Sequence, residues 1–258
     1  MQTVLFHETV FGPIHSRRLG VSLGINLMPN DGKICSFDCV YCEAGYNAQG
    51  AGKSGIPSRE AVKKGLNRKL KAMIEAGEQL DVITFSGNRE PTLHPQFKEI
   101  VLEVIMLRDR LFPNAQVSVL SNSTMLKKDS VVEALKKVDN NILKLDSAIA
   151  SSFRLINQPT SNGVLPEGVI ADLKRFNGKC IVQTMFLRGE HNGKHIDNTT
   201  DEEVNALIAA YKEIAPQEVM IYSIDRKTPE ENLVKVEKSE LEAIGKRIES
   251  AGIKVIVS

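Results

Sequence analysis

An α/β fold built on a parallel sheet is what this sequence predicts, and three observations carry the expectation. Short runs rich in β-branched residues alternate with longer amphipathic segments about six times along the chain. Most of the short runs are apolar at nearly every position, as strands covered on both faces must be. The intervening segments are long enough to hold a helix each, which right-handed βαβ crossovers require.

The elements follow in order. Strands are read at 21–27 (VSLGINL), 82–86 (VITFS), 116–121 (QVSVLS), 141–146 (NILKLD), 180–186 (CIVQTMF), 218–223 (EVMIYS) and 253–257 (IKVIV). After Pro57-Ser58, the spacing of Val62, Leu66, Leu70 and Met73 predicts a helix. Phe97, Ile100, Val101, Val104 and Ile105 predict another after Pro95, and Val131, Val132, Leu135 and Val138 a shorter one. Thr200 with Glu203 reads as a capping box ahead of Val204, Leu207, Ile208 and Tyr211, and Ser239 with Glu242 as a second ahead of Ile244 and Ile248. Pro159 and Pro166 break up the segment 150–175. Two architectures satisfy this pattern: an open doubly wound sheet and a full or partial (β/α) barrel, and both place chemistry at the carboxyl ends of the strands. No Pro-, Gly- or Ser-rich linker separates the repeats, so residues 1–258 are expected to form one domain.

Bulk properties narrow the function classes. Lys and Arg number 33 against 32 Asp and Glu, so no global basic field announces nucleic acid. The apolar runs fall far short of the roughly 20 residues a membrane span needs. The start, MQTVLFHETVFG, has no basic stretch followed by an apolar one, so no signal peptide is read and the cytoplasm is the expected compartment. In a reducing compartment, clustered cysteines point to metal or catalysis rather than disulfides.

Three of the chain's four cysteines, Cys35, Cys39 and Cys42, fall within KICSFDCVYCEAG, spaced C-x3-C-x2-C just after the first predicted strand. Structural zinc usually takes four ligands in paired knuckles or with distal histidines, here His7 or His15. A [4Fe–4S] cluster normally takes four thiolates, so three in one short loop could hold three irons and leave the fourth for an outside ligand.

This spacing, with Tyr41 just before the last cysteine, resembles the signature of radical S-adenosylmethionine (radical SAM) enzymes. The resemblance implies a partial (β/α)6 barrel, with room for one extra C-terminal strand. It implies a [4Fe–4S] cluster on Cys35, Cys39 and Cys42, and SAM chelating the open iron. SGNREPTLHP (86–95) resembles the family's GGEP turn, with Gly87, Asn88 and Glu90 expected around the SAM amino group. Asn88 is expected to tolerate the left-handed turn conformation. SNST (121–124) resembles the ribose-binding turn, with Ser121 and Asn122 as partners; MIYSID resembles the adenine-contacting strand, with Ile221 and Tyr222. The implied reaction is reductive cleavage of SAM to a 5′-deoxyadenosyl radical that takes hydrogen from a substrate. A one-electron donor such as a flavodoxin or ferredoxin is the implied partner.

The phrase FGPIHSRRLGVSLGINL narrows the resemblance to short proteins similar to the catalytic domain of the tRNA wybutosine enzyme. That enzyme uses three further cysteines for a second cluster, whereas here only Cys180 remains. An RNA base is the favoured substrate class, ahead of a peptide, a partner enzyme or a small molecule.

Gln183, His191, Asp146 and Cys180 are the substrate-side candidates, because each sits on or beyond a predicted strand facing the presumed cavity. Cys180 also reads simply as a small buried residue. His191, His195 and Asp197 lie in RGEHNGKHIDNTT, read as a loop from its glycines and asparagines. Arg17 and Arg18 could grip an anion, and Asp225-Arg226 points at the same rim. GAGKSG (50–55) fails as a phosphate loop, because Asn47 stands where its first glycine belongs. The run Lys63, Lys64, Arg68, Lys69, Lys71 reads as a solvated helix face.

Overall fold

The computed structural model describes residues 4–16 and 20–258; Arg17 and Arg18 lie outside the described residues. Along the chain come β1 (Val10–Ser16), β2 (Gly20–Ile25), α1 (Arg59–Glu75), β3 (Val82–Phe85), α2 (Phe97–Leu111), β4 (Gln116–Ser121), α3 (Asp129–Leu135) and β5 (Asn140–Lys144). Then follow α4 (Ala150–Asn157), α5 (Pro166–Leu173), β6 (Ile181–His191), β7 (Lys194–Asp197), α6 (Asp201–Ile214), β8 (Glu218–Ser223), β9 (Leu233–Lys235), α7 (Lys238–Ser250) and β10 (Val255–Val257). Among the described residues no helix is long and apolar enough to cross a membrane.

The strands lie side by side in the order β1-β2-β3-β4-β5-β6-β8-β10. All pairs from β2 to β10 are parallel, and β1 closes one edge antiparallel to β2. Spatial order never reverses against sequence order. Right-handed crossovers then set every helix on one face, and the opposite face curls inward. That decides for the partial barrel over the doubly wound sheet, with β2, β3, β4, β5, β6 and β8 as its six strands and β10 as the extra one.

The pleat sorts the side chains. Ile142, Ile181 and Met220 form a small apolar plug on the concave face, with Leu120 and Ile256 against it. Their neighbours Leu143, Val182, Val219 and Ile221 belong to the large core shared with the helices. Two residues along the inward rows lie Lys144 and Gln183, Cα partners in register. The polar floor of the site is therefore the same period-2 row as the plug, one step nearer the strand ends.

Local chemistry explains the helix starts and shows where the sequence reading needs correction. Ser58 Oγ accepts from the Ala61 amide at 3.2 Å, and Thr200 Oγ1 from the Glu203 amide at 3.3 Å. The expected reciprocal bond from Glu203 is not made; its buried carboxylate takes the Ser147 hydroxyl at 2.7 Å instead. Ser239 does not cap α7, which begins at Lys238 behind Glu237. Pro166 sits in the first turn of α5, where it breaks nothing. The segment read as a loop after β6 is a hairpin: Asn192 and Gly193 take φ 51° and 72°, joining β6 to β7. Asn-Gly is the sequence signal for such a turn. Most of the basic run on α1 is exposed, as expected.

The GAGKSG loop also has a partner. Asp31 accepts from the amides of Lys53 (2.8 Å) and Ser54 (3.1 Å) and from Ser54 Oγ (2.7 Å). These bonds, the Ser54 hydroxyl first, pull the Asp31 carboxyl down to about 2. The folded value lies below the ordinary 3.8, so this contact is fully formed above pH 3.8 and lost as pH falls toward 2. Amide shifts of Lys53 and Ser54 should titrate near pH 2; a midpoint near 4 would show that the carboxylate does not hold the loop.

Candidate functional site

The cysteine loop leaves the carboxyl end of β2 and is clamped from beneath. Lys33, buried, donates through Nζ to Asp38 Oδ1 at 2.8 Å and to the Gly45 carbonyl at 2.8 Å. Asn47 donates its amide to Asp38 Oδ1 at 2.7 Å and its side chain to the Cys35 and Phe37 carbonyls at 3.2 and 3.1 Å. Phe37 packs edge-on against Phe153 of α4, ring centres 5.6 Å apart. The Asp38 amide donates to the Asn157 carbonyl at 3.0 Å and the Val40 amide to the Ile156 carbonyl at 3.0 Å. The loop is thus as fixed as an element of secondary structure.

All four cysteines are free thiols. Cys35, Cys39 and Cys42 line a cavity of about 270 Å³ at the carboxyl ends of the barrel strands. Cys180 is in the core at the opposite end of β6 and lines neither this cavity nor the larger one beside it. It is removed from the substrate-side candidates because its strand starts there and the chemistry lies where the strands end. Burial pushes the Cys39 thiol up to about 11 and the Cys35 thiol up to about 12. Only a bound cation would ionise them at neutral pH. Among the described residues no three His, Cys, Asp or Glu side chains converge on one ion's position. His7 and His15 are exposed and line neither cavity. Three thiols spread round a cavity of this size fit a polynuclear iron–sulfur group, and their fit to one tetrahedral ion is poor.

The turn after β3 forms the next wall. Gly87 has φ 115°, and a Cβ there would fall 2.8 Å from Asn26 Cβ, so glycine is required. Asn88 departs from expectation: Arg89, not Asn88, takes the second positive φ, at 118°. The Asn88 side chain turns away from the cavity, accepting from the Phe6 amide at 2.8 Å and donating to the Phe6 and Pro29 carbonyls at 2.9 and 2.8 Å. It anchors the N-terminal segment instead. Glu90 does line the cavity. Its Oε1 accepts from the Thr92 hydroxyl, the Thr92 amide (3.1 Å) and Ser121 Oγ (2.8 Å), and its Oε2 from the Asn122 amide (2.6 Å). Burial raises the Glu90 carboxyl, against the pull of these bonds. Oε2, with one donor, keeps room for another.

Ser121 and Asn122 line the same cavity, but their side chains are engaged. Ser121 donates to Glu90; Asn122 donates to Ser36 Oγ at 2.9 Å and toward Cys35 Sγ at 3.5 Å, and accepts from Thr124. They shape the wall and steer the cysteine loop, and do not present free groups to a ribose. Of the two β8 residues, Tyr222 lines both cavities, whereas Ile221 points outward; its Cδ1 lies 3.7 Å from where a Cβ on Gly245 of α7 would sit. Only the inward half of that strand's pleat can face a ligand.

Beneath the cysteines lies a network the sequence reading missed. Tyr41 donates its hydroxyl to Asp146 Oδ2, and Lys144 Nζ donates to Tyr41 Oη and reaches Asp146 Oδ2 at 3.4 Å. Asn157 donates to the same oxygen at 2.6 Å, and the Met185 amide to Oδ1 at 2.9 Å. Burial works most strongly against the Lys144 ammonium, but Asp146, Tyr222 and Cys39 together outweigh it and the net direction is up. Burial and then Asp146 raise Tyr41 well above its ordinary value. Asp146, fully buried, is therefore the keystone that fixes Lys144 and Tyr41, and it does not itself face the cavity. The signal was present in NILKLD: a lysine on the inward row of an otherwise apolar strand.

His191 lines neither cavity. Its Nδ1 is 3.0 Å from Glu230 Oε1, and its Nε2 is met by Gln158 at 3.1 Å and Asn192 at 2.9 Å. Tyr46 donates to the same Glu230 oxygen, so this group joins the cysteine loop to the β6–β7 hairpin. His195 is exposed on that hairpin, and Asp197 caps the turn at Thr199. Gln183 faces the cavity. A second cavity of about 560 Å³ adjoins the first along Tyr41, Glu43, Met185 and Tyr222; Asp225 and Arg226 line it, Arg226 paired with Glu43 at 2.9 Å.

A sequentially wound half barrel with a fixed three-cysteine loop at its strand ends defines a class of iron–sulfur, nucleoside-using enzyme. The sequence pattern of the radical SAM superfamily matches residues 30–193, and the chain belongs to that superfamily, whose cofactors are a [4Fe–4S] cluster and SAM. UPF0026 protein MJ1312 of Methanocaldococcus jannaschii is 32% identical over 235 residues, covering 90% of this chain and 68% of that protein. A protein named GTPase Obg from Brachyspira hyodysenteriae is 28% identical over 246 residues, 94% of this chain but 34% of its own length. The chain thus spans about a third of that relative and about two thirds of the other. A solved structure of TYW1 with a lysine-pyruvate adduct superposes with a TM-score of 0.60 at 14% identity, covering 89% of this chain and 73% of that one. This last likeness is one of fold.

Proposed function

We propose that Cys35, Cys39 and Cys42 hold a [4Fe–4S] cluster with one iron left to SAM, and that the enzyme removes a hydrogen atom from its substrate. When bound, the cluster and SAM supply an electron and a cleavable sulfonium, and so the 5′-deoxyadenosyl radical. The chain's residues bind, orient and exclude water. Glu90 Oε2 accepts from the SAM ammonium, a charge-assisted contact. Lys144 has three N–H donors and two partners, which leaves one for the SAM carboxylate. Gly87 lets the backbone approach closely, and Tyr222 stands between the two cavities, where the adenosine end and the substrate would meet. Lys33, held upright by Asp38, offsets part of the negative charge that three thiolates bring.

The observation that carries this reading is the set of three free thiols, Cys39 and Cys42 buried and Cys35 half-buried, facing one cavity with Glu90 and Lys144 in its walls. Protein reconstituted without oxygen and given dithionite and SAM is expected to release 5′-deoxyadenosine and methionine. No 5′-deoxyadenosine from protein that has taken up iron would overturn it. A flavodoxin or ferredoxin would supply the electron in the cell. For substrate, an RNA base remains the first class to test, by looking for deuterium in 5′-deoxyadenosine after incubation with labelled RNA or labelled metabolites. Peptides and partner enzymes are the other arms of that experiment.

A further inference from the structure

Two donors in the walls of the cysteine cavity have no partner. Arg89 Nε and Gln183 Nε2 are shut off from water and hydrogen-bonded to nothing among the described residues. They come from different walls, the turn after β3 and the inward row of β6, yet both residues line the same 270 Å³ cavity. Buried donors left unmade cost free energy.

Arg89 carries a second cost. Its φ of 118° is a conformation that side chains other than glycine rarely take. The strain is held in place by the turn: Ile34 and Arg89 form a parallel bridge, and the Asn88 side chain on one side and the Glu90 carboxylate on the other are locked by their own bonds. No ion pair to Arg89 forms among the described residues, although Glu90 is adjacent; Thr92, Ser121 and Asn122 orient that carboxylate. Strain and unmade bonds collected on one cation facing a cavity are what a binding residue shows before its ligand arrives.

We propose that Arg89 and Gln183 form a subsite for an oxyanion, a carboxylate or a phosphate, carried by the substrate. The assignment to substrate rests on the reading of this cavity as the SAM site. SAM brings one carboxylate, for which Lys144 has a donor, and that leaves Arg89 unmatched. A guanidinium on one wall and an amide donor on another wall of one cavity suit a planar or tetrahedral oxyanion held between them, where a point charge would be less selective.

The test is a titration with inorganic phosphate and with acetate, on protein both free of iron and loaded with iron and SAM. Wild type should bind at least one of the two saturably, and Arg89→Gln and Gln183→Leu should each weaken it at least tenfold. Arg89→Gly should lose the anion equally while melting above wild type, because glycine accepts the backbone that arginine resists; a merely structural arginine would not separate the two readouts in this way. Unchanged anion binding in Arg89→Gln, or no saturable binding by wild type, overturns the subsite. If Arg89→Gln weakens SAM but not decarboxylated SAM, the oxyanion is SAM's own and the substrate assignment falls. Loss of anion binding in Arg89→Gln on protein that takes up neither iron nor SAM would uphold the subsite and overturn the SAM reading instead.

Discussion

Replacing any one of Cys35, Cys39 or Cys42 with alanine is expected to abolish stable iron–sulfur uptake, while Cys180→Ala keeps it. The reason is the division of the four thiols: three in the wall of one cavity, the fourth sealed in the core at the far end of β6. A cluster held by three thiolates has no spare ligand to substitute for a lost one. After anaerobic reconstitution wild type should carry about four irons and visible charge-transfer absorbance, and the three variants should approach none. The apo proteins should melt close to wild type, since the loop's hold comes from Lys33, Asp38, Asn47 and Phe37. Full iron in any of the three variants, or its loss in Cys180→Ala, would remove the basis of the proposed function.

Asp146→Ala should destabilise the fold by about 3–5 kcal/mol, the usual cost of stranding a buried charge. Asp146 is fully buried and receives Tyr41, Asn157, Lys144 and the Met185 amide. Without it the Lys144 ammonium keeps its burial penalty and loses the largest of the charges that offset it. For a chain of this size the melting temperature should fall by roughly 6–20 °C. Adding Lys144→Met should restore part of the loss, because the pair goes together. The same double variant is expected to bind SAM worse than wild type, since it removes the cation assigned to the carboxylate. A single Asp146→Ala variant as stable as wild type would mean the network is not the keystone its geometry suggests.

The sequence alone reaches the strands of the parallel sheet, the helices outside 150–175 and the loop that matters, whereas α4 and α5 lie in the segment that Pro159 and Pro166 break up. Those signals are local: period-2 and period-3.6 patterning, a serine before α1, three cysteines in one short stretch. β1, β7 and β9 lie outside the predicted strands, and for the β6–β7 hairpin the reason is local too: the composition around Asn192-Gly193 reads as loop although the pair is also a turn signal. The sequence reading puts the wrong residue of the 87–90 turn at positive φ, because asparagine's intrinsic tolerance loses to three hydrogen bonds that bind Asn88 elsewhere. Of the candidate pair Ile221 and Tyr222, adjacent on one strand, only Tyr222 can face the cavity, and the sequence does not show which half of the pleat points inward.

What the sequence determined by itself is the alternating α/β pattern with its parallel sheet and the identity of the three cysteines, because both are written in spacings a few residues long; that the sheet closes as a half barrel needed the strand order. What only the tertiary structure decided is which polar groups are free. Tyr41, 105 residues from Asp146 in the sequence, meets Lys144, Asp146 and Asn157 in one network. Glu90, Ser121 and Asn122 satisfy one another across two strands, and Arg89 and Gln183 are left with donors unmade. Hydrogen-bonding capacity is finite, and whether a side chain has any left depends on neighbours that only the folded chain brings near.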